Sequence, residues 1–171
     1  FQKRTVGKLE YGMAKNLSCS RGILNVGELM AVSTIRQLLK NLPQKEHFID
    51  CPPGTSCNVV TALKYADAAI LVTEPSEFGF HDLLMAEKLV RLFKLPYGVV
   101  INKDDEKYGA LKDCSKARVI SYAINSEADY RAINIKMSSQ GTQFDLVYSG
   151  HMYPVKTNLV GNFNVYNLLA V

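Results

Sequence analysis

Two uncharged apolar runs constrain this chain more than anything else in it: Ala68-Ala69-Ile70-Leu71-Val72-Thr73 and Tyr97-Gly98-Val99-Val100-Ile101-Asn102. Continuous runs of this kind predict strands of a parallel sheet, buried on both faces. Between them, His81 to Lys94 carries apolar residues at helical spacing, and Pro96 breaks it. Upstream, Leu29, Val32, Ile35, Leu38, Leu39 and Leu42 keep a 3.6-residue rhythm, which predicts a helix from Glu28 to Asn41 stopped by Pro43. Asn58 to Tyr65 reads as another helix. His47-Phe48-Ile49-Asp50 is a short apolar run ending on a carboxylate, with loops at 51–56 and 74–79. Strands alternating with helices over short connections predict an α/β fold with a parallel sheet and right-handed crossovers.

After Lys103 the texture changes. Asp104-Asp105-Glu106 opens a charged segment, and Val119 to Ile124 reads as one more strand. Arg131 to Met137, Thr142 to Tyr148 and Met152 to Asn158 alternate apolar with polar residues, so a small antiparallel segment turning at Ser149-Gly150 is expected. Phe163 to Val171 reads as a C-terminal helix.

The net charge of +4 sits in the first 21 residues, where Lys3, Arg4, Lys8, Lys15 and Arg21 face Glu10 alone. Without aromatic interleaving or a nucleic-acid module, this leader reads as a solvated, frayed terminus, and no nucleic-acid partner is expected. No apolar stretch reaches the ~20 residues of a transmembrane helix. The four cysteines are too few and irregular for a disulfide scaffold, which makes a reduced cytoplasmic setting the expectation. A chain beginning at Phe1 is expected to be a fragment.

The strongest local signal for chemistry is Asp50-Cys51-Pro52-Pro53-Gly54-Thr55. A carboxylate at the tip of a parallel strand lies where α/β sheets bind ligands, and in phosphoryl-transfer sites such an Asp holds Mg²⁺. The glycine beyond it lets a backbone N–H approach a terminal phosphate. His47, His81 and His151 lack metal-ligand spacing; His81 beside Asp82 reads as a helix-start cap partner. Cys51 and Cys57 read as free structural cysteines, and no serine stands in a nucleophile elbow. Catalytic residues are therefore assigned to none of these.

Residues from about 22 to 103 resemble the MinD/Mrp/ParA group of deviant P-loop ATPases, closest to MinD-like ATPases with an inserted ferredoxin domain. The resemblance rests on Asn25-Val26-Gly27-Glu28, Phe48 to Cys57, Leu71 to Leu83 and Gly98 to Lys103. It implies ATP with Mg²⁺, with Asp50 as the metal-side carboxylate, Gly54 as the γ-phosphate sensor and Asn102 as an adenine contact. The family's clustered ferredoxin cysteines have no counterpart here, so no iron–sulfur cluster is expected. Asn102-Lys103-Asp104-Asp105 also spells the guanine-reading pattern of GTPases, which we read as coincidence because the rest of a GTPase is missing.

Residues from about 102 to 171 resemble the central domain of MurE-type Mur ligases. The matching stretches are Asn102 to Glu106, Ala117 to Tyr122, Glu127 to Ala132, Asn134-Ile135, Gly141-Thr142-x-Phe144 and Gly161 to Ala170. Such enzymes join an amino acid to UDP-MurNAc-dipeptide at the expense of ATP in peptidoglycan synthesis. The resemblance makes Asn164 and Asn167 candidates for the adenine; an N-cap and a polar helix face explain them equally.

The chain thus reads as a chimera, with a MinD-like part over 1–103 and a MurE-like part over 104–171. The expected architecture is a P-loop-NTPase-like parallel sheet without its phosphate loop, then the antiparallel segment and final helix. No Gly-x-x-x-x-Gly-Lys-[Ser/Thr] occurs. That loop supplies the backbone N–H nest and the Lys that grip phosphates. The leading expectation is a nucleotide-binding fold without ATP hydrolysis. The alternatives are a fragment of an ATP-dependent Mur ligase and an inactive remnant. Expected partners are a nucleotide and either a second copy or a docking partner.

Overall fold

The leader expected to fray is a β-hairpin. Strand β1 (Gly7–Ala14) pairs antiparallel with β2 (Leu17–Leu24), in register from Gly7↔Leu24 to Ala14↔Leu17. Leu9, Tyr11 and Met13 alternate onto one face, and Lys15 takes φ 55° in the turn. The leader's charges are partly matched within the hairpin, since Glu10 lies 2.8 Å from the Arg21 guanidinium and 2.6 Å from Lys8 Nζ. The computed structural model describes residues 4–40, 42, 45–73 and 76–171. The expected stops at Asn41 and Pro43, and the loop residues Glu74 and Pro75, lie outside the described residues.

The chain divides into two compact units, Phe1–Asp67 with Leu89–Leu95, and Ala68–Lys88 with Pro96–Val171. In the first, α1 (Val32–Lys40) rests on the hairpin. A Cβ on Gly22 would stand 2.5 Å from Thr34 Cγ2, so glycine is what lets helix and strand approach. With α2 (Cys57–Leu63), α1 buries Leu39, Ala62 and Leu63. The helix begins at Val32 rather than Glu28 because a turn comes first: Gly27 takes φ 86° and the Glu28 N–H donates to the Asn25 carbonyl. The run His47 to Asp50 forms no strand. Residues 46–52 lack regular structure and Phe48 is 92% exposed. So short an apolar run takes strand geometry only when a neighbour satisfies its backbone, and no ladder forms there.

The second unit is built on a six-stranded sheet in the order β3 (Ala69–Thr73), β4 (Tyr97–Asn102), β5 (Arg118–Ala123), β6 (Tyr130–Ser138), β7 (Gly141–Tyr148), β8 (His151–Thr157). Strands β3 to β6 are parallel, whereas β6–β7 and β7–β8 are antiparallel. The α/β class and the antiparallel meander are as expected, and β3 and β4 share one sheet with the strands that follow residue 103. On one face, α3 (Glu77–Leu92) and α4 (Tyr108–Cys114) bury Leu83 and Leu111 against Val99 and Ile101. On the other, α5 (Asn162–Leu169) packs Val165 and Leu169 on Val100, Tyr122, Ala132 and Phe144.

Strand β3 corrects the expectation of burial on both faces: Ile70 is 64% and Val72 57% exposed. It is an edge strand with one neighbour, and α5 covers only the strands further in. Helix α3 starts at Glu77, ahead of His81, because Ser76 Oγ accepts the Gly79 N–H at 3.0 Å and closes the first turn. His81 therefore lies inside the helix, 3.7 Å from Asp82, and is no cap partner. Helix α4 stands in the charged segment, and residue 103 falls between β4 and α4, within the second unit.

Candidate functional site

Strand β4 delivers Asn102 to the carboxyl end of the parallel strands, where open α/β sheets bind ligands. Its Oδ1 accepts the N–H of Asp104 at 3.0 Å, a side-chain turn that reverses the chain. This turn aims the Asp104 carboxylate at the β5–β6 connection. There Oδ2 accepts the N–H groups of Ile124 at 2.6 Å and Asn125 at 2.9 Å, and Oδ1 accepts that of Ser126 at 2.8 Å. Tyr166 Oη on α5 completes the set, donating to Oδ2 at 2.9 Å. One carboxylate thus ties the end of β4, the β5–β6 loop and α5 together.

Partial burial alone would raise the Asp104 pKa, but the hydrogen bonds from Asn125, Ile124, Ser126 and Tyr166 outweigh it and hold the carboxyl at about 2. Burial, and donation to that carboxylate, push the Tyr166 phenol up to about 12. Both groups are locked in one protonation state near neutrality, which suits a structural clamp rather than a proton carrier. Asp105 accepts the Lys107 N–H at 2.9 Å, a local turn. A second clamp lies on β5, where Asp129 Oδ2 accepts from both the N–H and Oγ of Ser121 and the Asp129 N–H donates back to that Oγ.

The expected nucleotide-side residues divide between the units. Asn102, Asn164 and Asn167 belong to the second, and Asp104 joins Asn102 to α5 through Tyr166. Asn164 Nδ2 donates to the Val160 carbonyl at 2.9 Å, closing the start of α5. Asn167 is exposed beside Tyr166, and its side chain has no hydrogen-bond partner among the described residues. Asp50 and Gly54 belong to the first unit. Asp50 is exposed and not at a strand tip, so the geometry expected of a Mg²⁺ carboxylate is absent. Gly54 takes φ 83° with open space around its Cα.

Magnesium needs several oxygen ligands in near-octahedral array. Among the described residues no group of three or more His, Cys, Asp or Glu could hold a metal by itself, and Asp50 stands as a single exposed carboxylate, able to supply one ligand beside water and phosphate oxygens. The four cysteines are exposed and unpaired. Sequence reasoning missed Asp104 and Tyr166 as partners. A carboxylate just past a strand-ending Asn was a usable signal for the first; nothing local marks a tyrosine 62 residues away.

The model of the Mur ligase middle-domain family matches residues 61–171. The chain belongs to that family. The Mur ligase match takes in β3, α3 and β4 as well as everything after them, so it supports the ligase reading over the MinD/ParA reading of that stretch. Among similar proteins, the UDP-N-acetylmuramoyl-L-alanyl-D-glutamate–2,6-diaminopimelate ligase of Chlamydia muridarum is 44% identical over 93 residues, which are 54% of this chain and 19% of that protein. The enzyme 1 of that name from Clostridium acetobutylicum is 46% identical over 81 residues, 46% of this chain and 16% of its own length. The chain spans about a fifth of the length of such relatives. Among solved structures, a diaminopimelate ligase of that type aligns with TM-score 0.47 and 24% identity, covering 64% of this chain and 25% of the other. MurF from Acinetobacter baumannii aligns with TM-score 0.48 and 17% identity, covering 67% and 27%. No described helix is long and apolar enough to cross a membrane.

Proposed function

We propose that this chain is the base-side part of the nucleotide site of an ATP-dependent ligase that attaches 2,6-diaminopimelate to UDP-N-acetylmuramoyl-L-alanyl-D-glutamate. The observation that carries the proposal is the family match over 61–171, joined to 44% identity with a ligase of that specificity. ATP, when bound, supplies the free energy for amide formation.

The chain's own residues fit the base better than the phosphates. Asn102 has spent Oδ1 on the Asp104 N–H, and its amide nitrogen is the group left for a ligand. The free carboxamide of Asn167 presents a donor and an acceptor side by side, the pairing that matches the N6 and N7 edge of adenine. Asp104 and Tyr166 fix the distance between these two asparagines by holding α5 to the end of β4. Asn164 orders the start of the same helix. No residue of this chain is given a role in phosphate transfer, since no Gly-x-x-x-x-Gly-Lys-[Ser/Thr] loop is present in the 171 residues.

Thermal unfolding of the chain with and without ATP, and with and without UDP-N-acetylmuramoyl-L-alanyl-D-glutamate, tests the reading. A ligand at 100 times its dissociation constant adds about 2.7 kcal/mol. A rise in Tm with ATP that is lost in Asn167→Ala is expected; no shift with either ligand overturns the proposal.

A further inference from the structure

We propose that the outer face of the β6–β7–β8 meander is a binding site for a phosphate group, whether free or carried as a monoester. The inference goes beyond the ligase reading and does not depend on it. It begins with register. Lys136 on β6 is the cross-strand partner of Gln143 on β7, and Gln143 of Lys156 on β8. The three side chains therefore stand in one row on one face, all exposed, with a carboxamide between two ammonium groups. The lysine Cα atoms are two strand spacings apart, about 9.6 Å. Each four-carbon stem is long enough to lean over the middle strand, so both charges can converge above Gln143.

Nothing within the second unit satisfies those charges. Neither lysine has an ion-pair or hydrogen-bond partner among the described residues. The acidic residue nearest in register, Asp145, is two positions along β7 and is engaged elsewhere: Asn134 Nδ2 donates to its Oδ2 at 2.8 Å. Asn134 reaches it from a bulge between Ile133 and Lys136, where it takes φ 54°. The Asp145 carboxylate is thus held by an amide of the bulge and forms no ion pair with either lysine.

The row also overlooks a concavity. Lys136, Ser138, Gln140, Gly141, Gln143 and Lys156 are among the residues lining a shallow cavity of about 220 Å³. Gly141 shapes its end. A Cβ there would fall 2.1 Å from the Thr157 carbonyl oxygen, so only glycine allows β7 to start this close to the end of β8. Thr142 Oγ1 secures the chain beyond β8 by donating to the Leu159 carbonyl at 2.7 Å. Two cations within reach of one carboxamide, over a fixed floor, make a seat for a compact dianion; a lysine meets a phosphate as a point charge and needs no bidentate geometry.

The test is an NMR titration of the full chain with inorganic phosphate, and in parallel with glycerol phosphate, at low ionic strength. Saturable shifts are expected at the Gln143 side-chain amide and the amides of 138–141, with the two ligands within threefold of each other. Lys136→Gln with Lys156→Gln should weaken binding at least tenfold, each single change about threefold, and Lys112→Gln on α4 should leave it unaltered. Circular dichroism checks that the double variant folds, and the single variants decide the matter if it does not. Shifts that grow linearly without saturation, or an affinity unchanged by the lysine substitutions, would overturn the proposal.

Discussion

Tyr166 on α5 donates its phenol proton to Asp104, 62 residues earlier in the chain, at 2.9 Å, and the same carboxylate oxygen accepts two backbone N–H groups from the β5–β6 connection. Removing the carboxylate strands three backbone donors and one hydroxyl. Asp104→Ala is expected to cost about 3 kcal/mol, because a donor left unpaired loses more than a hydrogen bond's net worth. Amide exchange at Ile124, Asn125 and Ser126 should accelerate in this variant ahead of the rest of the sheet. Unchanged exchange there would show the clamp to be dispensable.

The same pair sets a pH dependence at both ends of the scale. Asp104 titrates at about 2 when folded against an ordinary 3.8, so the stability it contributes is complete above about 4 and is lost as pH falls through 2. Tyr166 runs the other way. Its pKa is raised from 10.0 to about 12, so its contribution is present below 10 and disappears as pH climbs toward 12. Denaturant midpoints followed from pH 2 to 12 should show both losses in the wild type. Tyr166→Phe should reduce the alkaline loss, leaving the part due to Tyr122 and Tyr130, whose pKa values are also raised, and cost about 1.5 kcal/mol at neutral pH.

Much of this architecture is legible from residue pattern alone. The uncharged runs at 69–73 and 97–102 become β3 and β4, and the alternating segments after Tyr130 become the meander, because period and turn chemistry are local properties. The hairpin in the leader was hidden by its charge. Lys8, Glu10 and Arg21 share one face of a ribbon, opposite Leu9, Tyr11 and Met13, and pairing rather than composition decides such a case. The tip of the expected Asp50 strand failed for the converse reason: an apolar run has no strand geometry without a ladder. The three asparagines of the second unit could be named from resemblance, but the Asp104–Tyr166 contact that relates them is long-range and carries no sequence period.

Ser121 and Asp129 exchange three hydrogen bonds, and the two that Ser121 donates, from Oγ and N–H, lower the Asp129 carboxyl pKa below its ordinary value, with Arg118 and Lys103 assisting. Ser121→Ala keeps only the backbone donor. It should destabilise the chain by about 1–2 kcal/mol and narrow the acid range in which Asp129 stays ionised. Chemical-shift titration of the Asp129 carboxyl carbon measures this, and an unaltered titration midpoint would contradict it.

Strand β3 presents an uncharged edge with Ile70 and Val72 exposed beside it, a surface of the kind that templates association. Val72→Lys puts a charge on that edge. Light scattering at rising concentration should show less self-association for this variant than for the wild type, with Tm altered by less than a few degrees because the side chain is already in solvent. Equal scattering from the two would place any association elsewhere.

Calorimetric titration with AMP and ATP side by side, with and without Asn167→Ala in a Lys136→Gln, Lys156→Gln background that removes the meander's own phosphate seat, goes most directly to the claim that the β4–α5 site holds the base of a nucleotide and not its phosphates. The account predicts that AMP and ATP bind within about threefold of each other, and that Asn167→Ala weakens both by tenfold, about 1.4 kcal/mol. ATP bound a hundredfold tighter than AMP, or neither nucleotide bound at all, would contradict it.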